Sequence, residues 1–167
     1  MAFNERRWSE LLADVELARY PGRLETDRHG HIVMTPPPSP RHGSLQSKIA
    51  HLLHVRTADG RVITECPIST ADGVKAADVA WASAAAMGEL GERVSFPRAP
   101  ELCVQVLSPG NTADEIREKI ALYFDAGARE VWTCAESGAV TFLRAGETTA
   151  SPSSHLFPDF PSQVVLS

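Results

Sequence analysis

The sequence predicts an α/β fold, a mixed sheet flanked by helices. Three observations carry this. Amphipathic helical stretches alternate with short strand-like runs, in the order helix, strands, helix, strands, helix, strands. The run Leu102–Leu107 is almost wholly apolar, as a strand covered on both faces requires. The helix after it opens with Thr112 and Glu115 at capping-box spacing.

The elements follow in order. Trp8, Leu11, Leu12 and Val15 recur at i, i+3, i+4, i+7, which predicts a helix with these four on its inner face, stopped by Pro21-Gly22. Arg23–Asp27 and His31–Thr35 read as two short strands around a tight turn at Arg28-His29-Gly30. Pro36-Pro37-Pro38-Ser39-Pro40 is a stiff extended spacer, because each proline fixes its own φ and biases its predecessor away from helix. A second helix opens at His42, turns Leu45, Ile49, Leu52 and Leu53 inward and ends before Asp59-Gly60. Arg61–Ser69 and Val74–Ala82 are strand-like, joined by the turn Ala71-Asp72-Gly73. Ala84–Leu90 is a short alanine-rich helix, and a longer one runs from Thr112 to Ala126. Glu130–Cys134 and Val140–Leu143 form a hairpin over Glu136-Ser137-Gly138, and Phe157 and Phe160 in the tail are expected to dock on the body.

At 167 residues the chain is sized for one domain: a helix over 1–20, a core over 20–160 and a tail over 155–167. Its 16 Lys plus Arg against 21 Asp plus Glu give a net charge of −5, which argues against a broad basic surface that clamps nucleic acid. A local metal groove stays open, since the ion itself supplies positive charge. Cys66, Cys103 and Cys134 are odd in number and widely spaced, which predicts buried free thiols and a reducing, cytoplasmic setting. No run approaches the ~20 apolar residues of a membrane span.

The candidate chemistry lies in Asp78, Gln105 and Lys119. Asp78, expected at the end of one strand, sits among Ala76, Ala77, Val79, Ala80 and Trp81, where a carboxylate is costly to bury without a metal, a cation or several donors. Gln105 lies inside the next strand and must find partners or a cavity; its amide oxygen can ligate a hard cation, though without charge. Glu101 cannot take its place, because four residues of strand span ~13 Å. Lys119, on the following helix, either pairs with Glu115 one turn earlier or lays its stem along the core and reaches the sheet. Glu25, His42 and Glu65 are further polar candidates, while His51 and His54 lack a third ligand. An aspartate, a polar strand residue and a lysine so grouped can bind a divalent ion and activate water.

The series Arg23-Leu24-Glu25, Pro37 to Gly43, Ala77-Asp78-Val79, Val104 to Pro109, Glu115 with Lys119 and Tyr123, and Ala126 to Trp132 resembles the Uma-type restriction endonuclease family of the PD-(D/E)XK nuclease superfamily. The resemblance implies a restriction-endonuclease-like core and Mg2+- or Mn2+-dependent hydrolysis of DNA phosphodiesters. It places Asp78 on the motif aspartate, Lys119 on the lysine, and Glu25 and His42 on the family's N-terminal acid and histidine. Asp78, Gln105 and the Val106 carbonyl are the expected metal ligands. Two positions depart: Ala77 stands for a proline and Gln105 for a glutamate. The alternative is a catalytically inactive nucleic-acid-binding or protein-interaction module on the same fold. A two-fold homodimer is expected, as the natural way to present two sites to a duplex.

Overall fold

The computed structural model describes residues 2–167. Helix α1 (Ala2–Ala13) leads to a hairpin of β1 (Arg23–Thr26) and β2 (Ile32–Thr35). Then come α2 (Pro40–His54), β3 (Arg61–Thr70), β4 (Gly73–Ala82), α3 (Ala84–Leu90), β5 (Leu102–Val106), α4 (Ala113–Asp125), β6 (Glu130–Cys134) and β7 (Val140–Arg144). The main sheet has the order β3-β4-β5-β6-β7, with β5 and β6 parallel and the other neighbours antiparallel. The parallel pair needs a crossover, and α4 supplies it. The architecture is the mixed sheet flanked by helices that the sequence predicts.

Alternation along β5 builds two cores. Leu102, Val104 and Val106 face Leu45, Ile49 and Leu53 of α2. Cys103 faces the other way, toward Tyr123 of α4, with Ala80 and Ala82. The tail closes the first core: Phe160 packs on Trp132 at 4.6 Å between ring centroids, and Phe157 meets Trp81 edge-on at 5.4 Å. Glu130 fastens this tail, accepting from Trp132 Nε1 (2.8 Å), Ser154 Oγ (2.7 Å) and the His155 and Leu156 N–H groups (2.7 and 2.9 Å).

Three local expectations need correction. Helix α1 ends at Ala13 and buries Asn4, Trp8 and Leu11, so Leu12 and Val15 are exposed. Asn4 takes an inner position because its amide donates to Ser69 Oγ and Thr70 O, a partnership that hydrophobic periodicity does not register. Helix α2 starts at Pro40, earlier than His42, since a proline at the first helical position has the right φ and gives up an N–H that would be unpaired anyway. Ser39 caps it. Asp78 lies mid-strand in β4, not at a strand end.

Candidate active site

The β4–β5 ladder pairs Trp81 with Leu102, Ala80 with Cys103 and Val79 with Val104, then stops. Past that point the strands' backbone donors turn to side chains. Val74 N–H donates to Thr26 Oγ1 (2.8 Å) and Ala76 N–H to Glu25 Oε2 (2.6 Å), both from β1, while Val106 N–H donates to Asp78 Oδ2 (2.7 Å). Gly73, at φ 81°, brings the start of β4 so close to the Thr26–Asp27 backbone that a side chain there would collide with it. The site occupies this fork.

Continuing the registers places three polar residues in one row. Asp78 stands opposite Gln105 on β5 and, between the pairs Thr64–Val79 and Cys66–Ala77, opposite Glu65 on β3. Glu65 has φ 50°, a left-handed conformation that costs a residue with a side chain about 1–3 kcal/mol. One nitrogen of Arg23 donates to both Glu65 Oε1 (2.8 Å) and Asp78 Oδ1, and Arg23 Nε completes the fork on Glu65 Oε2 (3.0 Å). Gln46 of α2 adds donations to Glu65 Oε1 and the Asp78 carbonyl, each at 3.0 Å.

Asp78 is wholly buried. Its Oδ1 accepts from Arg23 and meets His42 Nε2 at 3.0 Å; its Oδ2 accepts from Gln105 Nε2 (2.9 Å) and Val106 N–H. Burial pushes this carboxyl above its ordinary range, against the pull of Arg23, the Val106 N–H and His42. Three unambiguous donors, Arg23, Gln105 Nε2 and the Val106 N–H, make the ionised carboxylate the form these contacts fit. Opposite that carboxylate His42 donates from Nε2, with Nδ1 3.1 Å from Ser108 Oγ. Burial works against the charge of Arg23, but the Glu65 hydrogen bond and the fields of Asp78, Glu65 and Glu25 raise its pKa above the ordinary value.

Lys119 reaches the sheet, its Nζ 2.8 Å from Glu25 Oε2. Glu115 stays with the capping box, where it exchanges hydrogen bonds with Thr112. Glu101 caps the start of α3 through Ser83, and His51 and His54 sit apart on α2. Tyr123 is buried beneath the site, its hydroxyl unpartnered; burial first, then Glu25, raises its pKa.

The structure therefore gathers Gln105, Val106 and His42 around the Asp78 carboxylate, with Lys119 and Glu25 paired alongside. Val106 contacts Asp78 through its N–H. Arg23 and Gln46 join the residues the sequence singles out, and of its further acids Glu65 meets Asp78 at Arg23. Arg23 lies two residues before Glu25, hence on the same side of β1, and that spacing was the available signal.

Whether these residues suit a divalent ion turns on Gln105. With its Nε2 on Asp78, its buried Oε1 has no donor among the described residues, and exchanging the two atoms would set an oxygen against a carboxylate. Among the described residues no three His, Cys, Asp or Glu side chains form a metal-holding group. The carboxylate and amide oxygens still suit a hard cation, provided one donor on Asp78 gives way.

Residues 13–165 match a family model described as "Uma2: Putative restriction endonuclease". The fold is similar to the crystal structure of "a putative nuclease belonging to DUF820" from Anabaena variabilis ATCC 29413, with a TM-score of 0.65 and 17% identity over 75% of this chain and 74% of that one. No curated protein matches.

Proposed function

Since the chain belongs to the Uma2 family, we propose that it is a divalent-metal-dependent endonuclease hydrolysing DNA phosphodiester bonds, its activity weakened by Gln105 in place of a second acid. The observation that carries this reading is the unpartnered, buried Gln105 Oε1 beside the Asp78 carboxylate. Asp78, Gln105 Oε1 and the Val106 carbonyl would hold Mg2+ or Mn2+. The Val106 N–H points at Asp78, and in an extended strand a residue's C=O points the same way as its N–H. Such an ion supplies Lewis acidity and lowers the pKa of bound water.

The protein's own groups do the rest. Lys119 orients the attacking water and offers its charge to the pentavalent phosphorane, and Glu25 holds that ammonium at the sheet edge. His42, its Nε2 proton on Asp78, fixes the carboxylate's orientation from the rim. Two such sites in a two-fold homodimer would address both strands of a duplex. Labelled single- and double-stranded oligonucleotides incubated with Mg2+ or Mn2+ test the reading; ion-dependent cleavage is expected, faster with Mn2+.

A second reading is favoured by Arg23, whose guanidinium already neutralises Asp78. A non-catalytic nucleic-acid-binding or protein-interaction module would keep that pair permanently. Retention of the same oligonucleotides in gel-shift experiments, with no cleavage under either ion, would select it.

A further inference from the structure

Gln105 leaves the site one negative charge short, and the row across the sheet contains a carboxylate in the next position. Glu65 stands opposite Asp78 on the side away from Gln105, in the left-handed backbone conformation. Its side chain and that of Asp78 meet at one Arg23 nitrogen. Gln46 ties Glu65 to the Asp78 backbone carbonyl from α2. The two carboxylates are thus held together by a single positive charge. On the other side of Asp78, the buried Gln105 Oε1 has no partner among the described residues.

We infer that Arg23 is the resident cation of this site, that a divalent ion displaces it from Asp78, and that Glu65 then supplies the carboxylate Gln105 lacks. This rests on the metal-dependent reading above. Charge supports it: two carboxylates with one guanidinium leave a net negative charge, whereas a divalent ion matches them. Ligand chemistry supports it as well. Two carboxylates and an amide oxygen form the all-oxygen set that Mg2+ or Mn2+ takes, and Arg23 is a charged donor on Asp78 carried on a long side chain. His42 is braced by Ser108, and the Val106 N–H belongs to the backbone of β5.

Mn2+ binding to the intact chain, followed by the electron paramagnetic resonance of the free ion, reads this without reference to activity. Arg23→Gln should tighten Mn2+ binding roughly tenfold, and Glu65→Gln should weaken it by roughly the same factor, the scale seen when groups around a metal site are removed. If Arg23→Gln fails to fold, Arg23→Lys decides in its place: it keeps the charge, gives up the two-pronged hold on Glu65 and should bind Mn2+ more tightly than the parent. Mn2+ binding that is lost in Asp78→Asn but unchanged by Glu65→Gln and by either Arg23 variant would overturn the inference and leave the metal-dependent reading standing. No Asp78-dependent binding in any of these proteins would overturn both.

Discussion

Gln105 donates its side-chain N–H to Asp78 Oδ2 at 2.9 Å and leaves its own buried Oε1 with no donor among the described residues. The pair fixes what a glutamate would do here. Gln105→Glu removes the donor and sets two carboxylates side by side in a buried fork. In the absence of ion the variant should lose about 3 kcal/mol of stability. Added Mn2+ should then raise its Tm by more than it raises the parent's. Equal shifts in the two proteins would contradict a metal site at this pair.

Lys119 and Glu25 act as a unit, 2.8 Å apart, with Glu25 also holding the Ala76 N–H. Lys119→Ala should abolish nicking of plasmid DNA while Mn2+ affinity stays unchanged. Glu25→Gln keeps the hydrogen-bond acceptor but loosens the lysine, and should lower kcat about tenfold with little change in KM. A Lys119→Ala protein that nicks at the parental rate would remove Lys119 from the reaction.

Glu130 predicts how the fold responds to acid. Burial opposes its ionisation, but donors from Ser154, Trp132, Leu156 and His155 hold its pKa below the ordinary value of 4.5. A folded pKa depressed in this way contributes stability that is present above pH 4.5 and is lost as pH falls through the folded value. Glu130→Ala should cost about 3 kcal/mol at neutral pH and release the tail, and it should flatten the acid limb of the stability curve. Denaturant melts of both proteins from pH 7 to pH 3 check this; parallel curves would contradict it.

The homodimer is tested by sedimentation at micromolar concentration, where a two-fold dimer is expected. A single monomeric boundary would count against two sites acting together on a duplex.

How much of this was legible in the sequence follows from what each signal encodes. Leu102–Leu107 announced a covered strand because five of its six residues are apolar, and Thr112 with Glu115 announced a helix start because a capping box is purely local. The Asp78–Gln105–Glu65 row was not readable in this way. It depends on two strand registers, and a register is set by packing between segments far apart in the chain. The role of Arg23 was hidden for the same reason: its partners Glu65 and Asp78 lie 42 and 55 residues away. Leu12 and Val15 misled because both fit the helical period, yet α1 stops at Ala13 and its inner face is completed by a polar residue, Asn4.

Under the proposed function, Asp78 organises a divalent-metal site that cuts DNA. Conversion of supercoiled plasmid to open circles, with Mn2+ and with EDTA, by the parent and by Asp78→Asn, tests it most directly. Nicking by the parent is expected to require Mn2+, to stop in EDTA and to be absent in Asp78→Asn. Nicking that persists in Asp78→Asn, or a parent inert at every Mn2+ concentration, would contradict it.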